Sequence, residues 1–234
     1  KRRFEKGLKI VLDKKNIKLS MYRPFTKKYL FYQSEVVDRP GPLRNWFGEF
    51  NQLIYVTKGA KVGNFSSLIT SFLPTEVMLG SSGTGFIKDI KDSSAMLEYS
   101  NITDSGMRFF KLSAEDVIYY VYSILNSKEF LKKYSNDLSK ELPRIPEVKD
   151  KEKYVEIGKK LADLHLNYED VPAYDGVNIV FKSDNPSFKV KKMKHPKRGQ
   201  LDTIIFNEDI VITDIPERAY EYVVNGKPAI EWII

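Results

Sequence analysis

SAEDVIYYVYSIL, at residues 113–125, is the stretch that decides the fold, because it predicts a helix in the middle of the chain. Ser113 is a typical helix N-cap, and Asp116 stands at the third helical position, as in a capping box. Apolar and aromatic residues then recur at helical spacing and predict one inner face. That face consists of Val117, Ile118, Val121, Tyr122 and Leu125.

Two further helices are predicted directly after this one. The second has an inner side made of Phe130, Leu131, Tyr134 and Leu138. The prolines of LPRIP at 142–146 end it, because proline cannot continue a helix. The third runs from about Asp150 to His165. Its predicted inner face consists of Tyr154, Ile157, Leu161 and Leu164.

Strands are predicted on both sides of these helices. Residues 8–34 are rich in β-branched and aromatic residues, with breaks near 13–16 and at Pro24. Further strands are predicted at 53–57, 66–70 and 76–80, and after the helices at 188–193, 203–206 and 209–213. A short helix near 216–224 is expected to stop at Asn225 and Gly226, which can form a left-handed C-cap. The order predicts an α+β fold, with mixed and antiparallel β-rich regions around a central helical segment.

The charge of the chain is unevenly distributed. The formal net charge is +7, residues 1–70 hold 15 Lys and Arg against 5 Asp and Glu, and residues 181–200 hold 7 against 1. Segregated positive charge indicates a polyanionic partner, with nucleic acid first and an anionic membrane second, whereas the plainer alternative is two solvated faces. No apolar run approaches the roughly 18–20 residues that span a bilayer. We therefore expect a cytoplasmic protein without a membrane partner.

Several strings resemble catalytic or metal-binding motifs only in part. The absence of cysteine excludes disulfides, thiolate metal sites and cysteine nucleophiles. LGSSGTGF at 79–86 lacks the lysine of a P-loop and is expected to be a plain loop. DNPSF at 184–188 is near the Asn-Pro-Pro-aromatic motif of amino-methyltransferases, but Ser187 replaces the second proline.

The remaining candidates for catalysis are weaker still. Glu147 and Lys149 have the Glu-x-Lys spacing of metal-dependent nucleases, yet they follow two prolines at a helix entrance. The histidines, His165 and His195, are too far apart in the sequence to indicate a metal site. His165 is expected to pack or cap at the end of the third helix. We therefore predict neither a catalytic residue nor a metal site in this chain.

Basic residues interleaved with aromatic rings are better candidates for contacts with DNA. YRPFTKKYLFY at 22–32 and FKVKKMKHPKRG at 188–199 have this pattern, and a strand with a lysine-lined face can lie along phosphates. Loop arginines and asparagines can reach base edges. The predicted DNA-binding residues are Arg23, Lys27, Lys28, Arg39, Arg44, Lys58, Lys61, Asn64, Lys191, Lys192, Lys194, Lys197 and Arg198.

The chain resembles the C-terminal target-recognition region of Type ISP restriction–modification enzymes. The matching strings occur in family order over nearly the whole length. They are YRPF at 22–25, YLFY at 29–32, DRPGP at 38–42, FSSLIT at 65–70, EDVIYYVYSIL at 115–125, KELPRIP at 140–146, GKKLADLHLNYED at 158–170 and AIEWII at 229–234. The resemblance implies recognition of double-stranded DNA, which would present an adenine to an upstream methyltransferase domain of the same polypeptide.

Different parts of the chain, and of the longer enzyme that the resemblance implies, are expected to have different roles. Residues 1–112 are expected to be a β-rich DNA-recognition part, 113–170 a helical segment and 171–234 a β-rich part packing with the first, or all three one domain. S-adenosylmethionine, ATP and Mg²⁺ would serve upstream methyltransferase, helicase and nuclease domains, and no cofactor is expected here. Two alternatives remain: a degenerate methyltransferase or nuclease, and a module whose helices at 113–165 dock on the parent enzyme without touching DNA.

Overall fold

The computed structural model describes residues 7, 11–33, 36–37, 52–58, 64–92 and 97–234. The chain divides into two compact units, unit 1 at Lys1–Tyr168 and unit 2 at Glu169–Ile234. Helices and small sheets occur in both units, which confirms the α+β class. The functional division at 112/113 and 170/171 stays a prediction.

The described strands of unit 1 form three small sheets. They are β1 (Ile17–Arg23), β2 (Thr26–Phe31), β3 (Leu53–Thr57), β4 (Ser67–Thr70), β5 (Leu73–Pro74), β6 (Gly83–Ile87), β7 (Asp89–Asp92) and β8 (Leu97–Ser100). β1 and β2 form an antiparallel hairpin, and β5 lies parallel to β1. β3 lies between β4 and β6, antiparallel to both, while β7 pairs with β8. The predicted break at Pro24 and the strands predicted at 53–57 and 66–70 are confirmed.

The described helices of unit 1 follow these strands along the chain. They are α1 (Asp104–Phe110), α2 (Ala114–Leu125), α3 (Lys128–Lys133), α4 (Ser135–Leu138) and α5 (Lys151–Leu166). Ser113 Oγ accepts a hydrogen bond from the Asp116 backbone N–H at 3.1 Å and donates one to Asp116 Oδ2 at 2.9 Å, so the predicted cap is confirmed. The second predicted helix is divided, because Tyr134 leaves helical geometry at φ −107°.

The core of unit 1 lies where α2 and α5 meet each other and the sheet centred on β3. Tyr120 and Tyr122 on α2 are fully buried. The Tyr120 hydroxyl donates to the Pro146 carbonyl at 2.6 Å and accepts from the Val148 N–H at 3.1 Å. Tyr122 accepts from the Ile69 N–H on β4 at 3.1 Å. These bonds satisfy the polar ends of rings whose burial stabilises the unit.

The inner face predicted for the third helix is wrong by one position. Ile157 is 57% exposed and Leu164 is 52% exposed, while Tyr154 and Leu161 are partly buried against the core. The residues buried on α5 are Val155, Gly158, Ala162 and His165. The small residues in this set let α5 lie close to α2, and this close approach overrides the preference for burying the larger aliphatic side chains.

Turns replace one predicted strand in unit 1. Residues 76–79 form turns instead of the strand predicted at 76–80, with hydrogen bonds from Met78 N–H to the Thr75 carbonyl and from Gly80 N–H to the Val77 carbonyl. Met78 and Leu79 are fully buried. Two residues of this run thus belong to the core, but its backbone pairs locally and not with a neighbouring strand.

Unit 2 is built around a small antiparallel sheet in the order β10–β11–β9. Its elements are β9 (Asn178–Phe181), β10 (Ile204–Ile205), β11 (Ile210–Thr213), β12 (Val223–Val224), β13 (Lys227–Pro228) and α6 (Ala229–Ile233). The predicted helix near 216–224 shrinks to a 3-10 helix at Glu217–Tyr220. Asn225 and Gly226, with φ of 48° and 74°, turn the β12–β13 hairpin instead of capping a helix.

The strand predicted at 188–193 is absent from the described structure of unit 2. Lys194 makes an isolated bridge with Ile205, and residues 188–193 belong to none of the described strands. Phe188 is 70% exposed, so the apolar alternation of this segment does not build a buried face. The third strand of the sheet is β9, which was not predicted and pairs with β11. None of the helices in the described ranges combines the length and apolar character needed to cross a membrane.

Candidate nucleic-acid interface

A groove lined by lysines is the most basic feature of unit 2. We call it the lysine groove; its volume is about 390 Å³. It is lined by Lys182, Ser187, Lys189, Lys191, Lys192, Lys194, Ile205, Asn207, Glu208 and Asp209. Five lysines against two carboxylates leave an excess of positive charge at one place. Such a surface attracts a polyanion and, above all, the phosphate backbone of a nucleic acid.

The lysine groove gathers residues from three parts of unit 2. Lys182 directly follows β9, and its backbone N–H donates to the Asp209 carbonyl at 2.8 Å. Lys194 is held against β10 by two backbone hydrogen bonds with Ile205, of 3.1 and 2.8 Å. The other lysines lie in the irregular segment between them, which lies opposite the turn between β10 and β11.

Asn207 secures the start of that irregular segment. Its Nδ2 donates to the carbonyls of Ser187 and Lys189, and its Oδ1 accepts from the N–H groups of Asp209 and Ile210 at 2.8 Å each. A side-chain amide has two donor hydrogens and two acceptor lone pairs, so all four are used here. Asn207 therefore holds the groove's backbone.

The acids of the lysine groove do little to neutralise its lysines. Asp209 Oδ2 accepts from the Ser187 N–H at 3.1 Å. Glu208 approaches Lys191 at 4.0 Å, but these side chains are 91% and 80% exposed. Exposed pairs of this kind contribute almost nothing to stability and are easily exchanged for another partner. The lysines therefore remain available to an incoming anion.

The structure places the predicted DNA-binding residues of unit 2 in two groups. Lys191, Lys192 and Lys194 line the lysine groove, whereas Lys197 and Arg198 lie exposed in the following turn and do not line it. Lys182 and Lys189 were missed by the sequence prediction. The signal was the basic excess at 181–200, which contains both, but only the pairing of β9 with β11 brings Lys182 to this surface.

The β1–β2 hairpin carries the predicted cations of unit 1. The Arg23 guanidinium donates to the Val77 carbonyl at 2.9 Å. Lys28 is exposed and its Nζ lies 4.3 Å from the centre of the Tyr22 ring. Lys27 Nζ lies 4.4 Å from the centre of the Phe72 ring, in cation–π geometry. All three cations thus contact a ring or a carbonyl of the protein, and Lys28 is the exposed one among them.

Two of the remaining predicted residues, Lys58 and Asn64, are described in unit 1. Lys58 is exposed just after β3 and Asn64 is half-buried just before β4, so they flank the connection between these strands. Arg39, Arg44 and Lys61 lie outside the described residues.

The strings that resemble catalytic motifs in part lie in a strand and at the start of a helix. Residues 83–87 form β6 instead of the loop expected within 79–86. A β-carbon on Gly83 would lie 2.3 Å from the Tyr55 ring, so this glycine makes room for that ring. Glu147 pairs with Lys151 at 3.6 Å at the start of α5. Among the described residues, no group of three or more His, Asp or Glu could hold a metal ion.

The two histidines occupy contrasting environments. His165 is buried, and its Nδ1 is hydrogen-bonded to the Tyr122 hydroxyl, which confirms the predicted packing role. Burial lowers the pKa of His165 to about 4, so the ring is neutral at pH 7. His195 in unit 2 contacts Glu231 and the Thr203 carbonyl. Partial burial opposes its charged form, yet the bonds to Thr203 and Glu231 together raise the pKa of His195.

Comparison with known proteins identifies the family. The protein-family model of the Type ISP C-terminal specificity domain matches residues 1–234. No curated protein sequence matches the chain. Among solved structures, the chain is similar to the ATP-dependent Type ISP restriction–modification enzyme LlaBIII bound to DNA, with 42% identity and a TM-score of 0.89, covering 100% of this chain and 16% of that one.

Two further structures have the same fold. A nuclease-deletion mutant of the Type ISP enzyme LlaGI, in complex with a DNA substrate mimic, is 42% identical with a TM-score of 0.85, covering 97% of this chain and 21% of that one. A DrdV–DNA complex is 23% identical with a TM-score of 0.85, and the match covers 99% of this chain and 25% of that one. At this identity the likeness shows the fold alone. The chain thus spans a quarter or less of these relatives, and it belongs to the family of Type ISP C-terminal specificity domains.

Proposed function

We propose that this chain recognises a specific sequence in double-stranded DNA as the specificity part of a restriction–modification enzyme. The observation that carries the proposal is the match over the whole chain to LlaBIII, whose solved structure is bound to DNA. The lysine groove and the exposed Lys28 supply the positive charge that such a role needs. One polyanionic partner would account for both basic regions of the sequence.

Recognition would use two kinds of contact, one with phosphates and one with bases. Lysines of the groove neutralise phosphates and set the position of the protein on the duplex, which contributes affinity without sequence information. Side chains of loops read the edges of bases, where arginine favours guanine and asparagine favours adenine. Asn64, Arg39 and Arg44 are the proposed candidates for this second role, and Lys58 and Lys61 for phosphate contacts.

The chemistry would belong to the rest of the polypeptide. The chain positions a target adenine, which is flipped out of the duplex into an upstream methyltransferase domain. S-adenosylmethionine would be bound there, and ATP and Mg²⁺ by the helicase and nuclease domains. The parent enzyme would act in the cytoplasm, and this part of it would need no cofactor.

The alternative of a module that only docks on the parent enzyme is less well supported. It would use the helical segment at 113–165, but the inner faces of α2 and α5 are buried in the core of unit 1. These faces are therefore already occupied by the unit's own residues.

A selection experiment tests the proposal without knowledge of the target sequence. The 234-residue chain is mixed with duplexes that have a randomised central region, and the bound duplexes are amplified and sequenced over several rounds. We expect one sequence motif to become enriched. Salt-dependent binding without an enriched motif would show that the chain holds DNA but does not read it. Absence of binding at low salt would overturn the proposal.

A further inference from the structure

The ring of His195 lies between two groups that can only accept hydrogen bonds. Nδ1 is 2.9 Å from the Thr203 carbonyl oxygen, and Nε2 is 2.8 Å from Glu231 Oε1. A neutral imidazole has one N–H and can satisfy only one of these acceptors, whereas an imidazolium donates to both. The geometry therefore favours the protonated ring, with Glu231 as its counter-ion.

Other groups around His195 are consistent with this arrangement. Tyr220, on the 3-10 helix, has its ring centre 6.2 Å from that of His195 and donates its hydroxyl to the Leu201 carbonyl. Asp202 accepts from the Thr203 hydroxyl at 2.9 Å. Lys194 and Lys197 flank His195 in the sequence. Glu231 is thus the carboxylate that contacts the ring directly; its side chain is 26% exposed, and that of His195 is 16% exposed.

His195 is the residue next to Lys194, the last lysine of the groove. The segment from 188 to 193 has no strand partner in the described structure. Its start is held by Asn207, and its end is held by the Lys194–Ile205 bridge and by the link from His195 to α6. Loss of the His195 link would leave the end of the segment held by the Lys194–Ile205 bridge alone. Lysines near that end would then be less ordered before binding, and their ordering would oppose association.

We propose that His195 and Glu231 are positioning residues for DNA binding, and that their ion pair holds the end of the lysine groove in the conformation that meets the phosphate backbone. The inference rests on the proposed function. It adds that one acidic residue strengthens the binding of a polyanion, which is the opposite of what its charge alone would do.

Glu231→Gln tests this, because it keeps the size of the side chain and removes its charge. Glu217→Gln, on the exposed face of the 3-10 helix, is the matched control, since Glu217 is not a hydrogen-bond partner of His195. Charge alone predicts equal or tighter binding of any duplex by both variants. We expect Glu231→Gln to bind about three- to tenfold more weakly at pH 7, because one or more lysines must be ordered on binding. We expect Glu217→Gln to bind at least as tightly as the parent.

A pH series separates positioning from general damage. His195 is one of two histidines, so its ring protons can be followed by NMR in the absence of DNA. We expect its titration to move to lower pH in Glu231→Gln, and the pH at which affinity for a random-sequence duplex declines to move with it. Weakening by the same factor at every pH would indicate a structural defect and overturn the inference, as would equal binding by the two Gln variants.

Failure of the proposed function would appear differently. The parent chain would then show no salt-dependent binding to the duplex at all, and the DNA-positioning role would fall with it. The NMR arm would still decide whether Glu231 holds His195 as an imidazolium, since it needs no DNA. An unchanged His195 titration in Glu231→Gln, with binding intact in the parent, would overturn the inference alone.

Discussion

Gly158 on α5 meets Tyr119 on α2 backbone to backbone: a β-carbon on Gly158 would lie 1.9 Å from the Tyr119 carbonyl oxygen. Backbone atoms cannot move aside as a flexible side chain can. The distance between α2 and α5 at this point therefore depends on the absence of a side chain at residue 158. The packing of these two helices, the longest described in unit 1, depends on it as well.

Gly158→Ala should therefore destabilise the chain, although alanine favours helices. We expect a loss of at least about 2 kcal/mol, because overpacking against backbone forces the helices apart. Gly106→Ala on α1 is the matched control, since its added β-carbon would be 3.4 Å from the nearest atom, Thr103 Oγ1. It should be neutral or stabilising by up to about 1 kcal/mol. Urea unfolding of both variants measures the difference, and equal midpoints would contradict the close contact.

The corrected inner face of α5 predicts which aliphatic residues matter. Val155 is 6% exposed and Ile157 is 57% exposed. Val155→Ala should cost about 1–3 kcal/mol, as expected for truncation in a core. Ile157→Ala removes more atoms but should stay within about 0.5 kcal/mol, as is usual for exposed sites. Thermal unfolding followed by circular dichroism would rank the two, and the reverse order would restore the face predicted from the sequence.

His165 predicts a fall in stability at acidic pH. Its folded-state pKa of about 4 lies below the ordinary value of 6.5, so the unfolded chain binds the proton more readily. The stabilising contribution is complete above pH 6.5 and is lost as the pH falls from 6.5 to 4, by at most about 1.4 kcal/mol per pH unit. His165→Gln removes this titration. The unfolding free energy of this variant should be lower at pH 7, because a packed residue is replaced. It should vary less than that of the parent between pH 6.5 and pH 4. Parallel pH profiles of the variant and the parent would contradict the assignment.

Lys182 predicts a change in the salt dependence of DNA binding that the sequence alone did not foresee. If it contacts a phosphate from the lysine groove, Lys182→Ala should flatten the log–log slope of affinity against salt by about one unit. Lys132→Ala, exposed on α3 in unit 1, should leave the slope unchanged. Titrations of a random-sequence duplex at four salt concentrations provide the slopes. Identical slopes for Lys182→Ala and the parent would remove Lys182 from the interface.

The sequence by itself determined the features that depend on near neighbours. The start of α2 follows from Ser113 and Asp116, which are three residues apart and cap the helix through their own bonds. The break at Pro24, the α+β class and the basic excess at 181–200 were likewise readable, because turn chemistry, hydrophobic periodicity and charge are local properties. The partial motifs at 79–86 and 184–188 each lacked a required residue, and Glu147 and Lys149 follow two prolines at a helix entrance.

Only the tertiary structure decided which residues meet across long separations. The inner face of α5 depends on how closely Gly158 approaches α2, and periodicity cannot measure that distance. The segment at 188–193 alternates like a strand, but a strand exists only when another accepts its hydrogen bonds, and beside β10 only the isolated bridge between Lys194 and Ile205 forms. The lysine groove depends on the pairing of β9 with β11, because Lys182 reaches Lys191 and Lys194 only once β9 has joined the sheet.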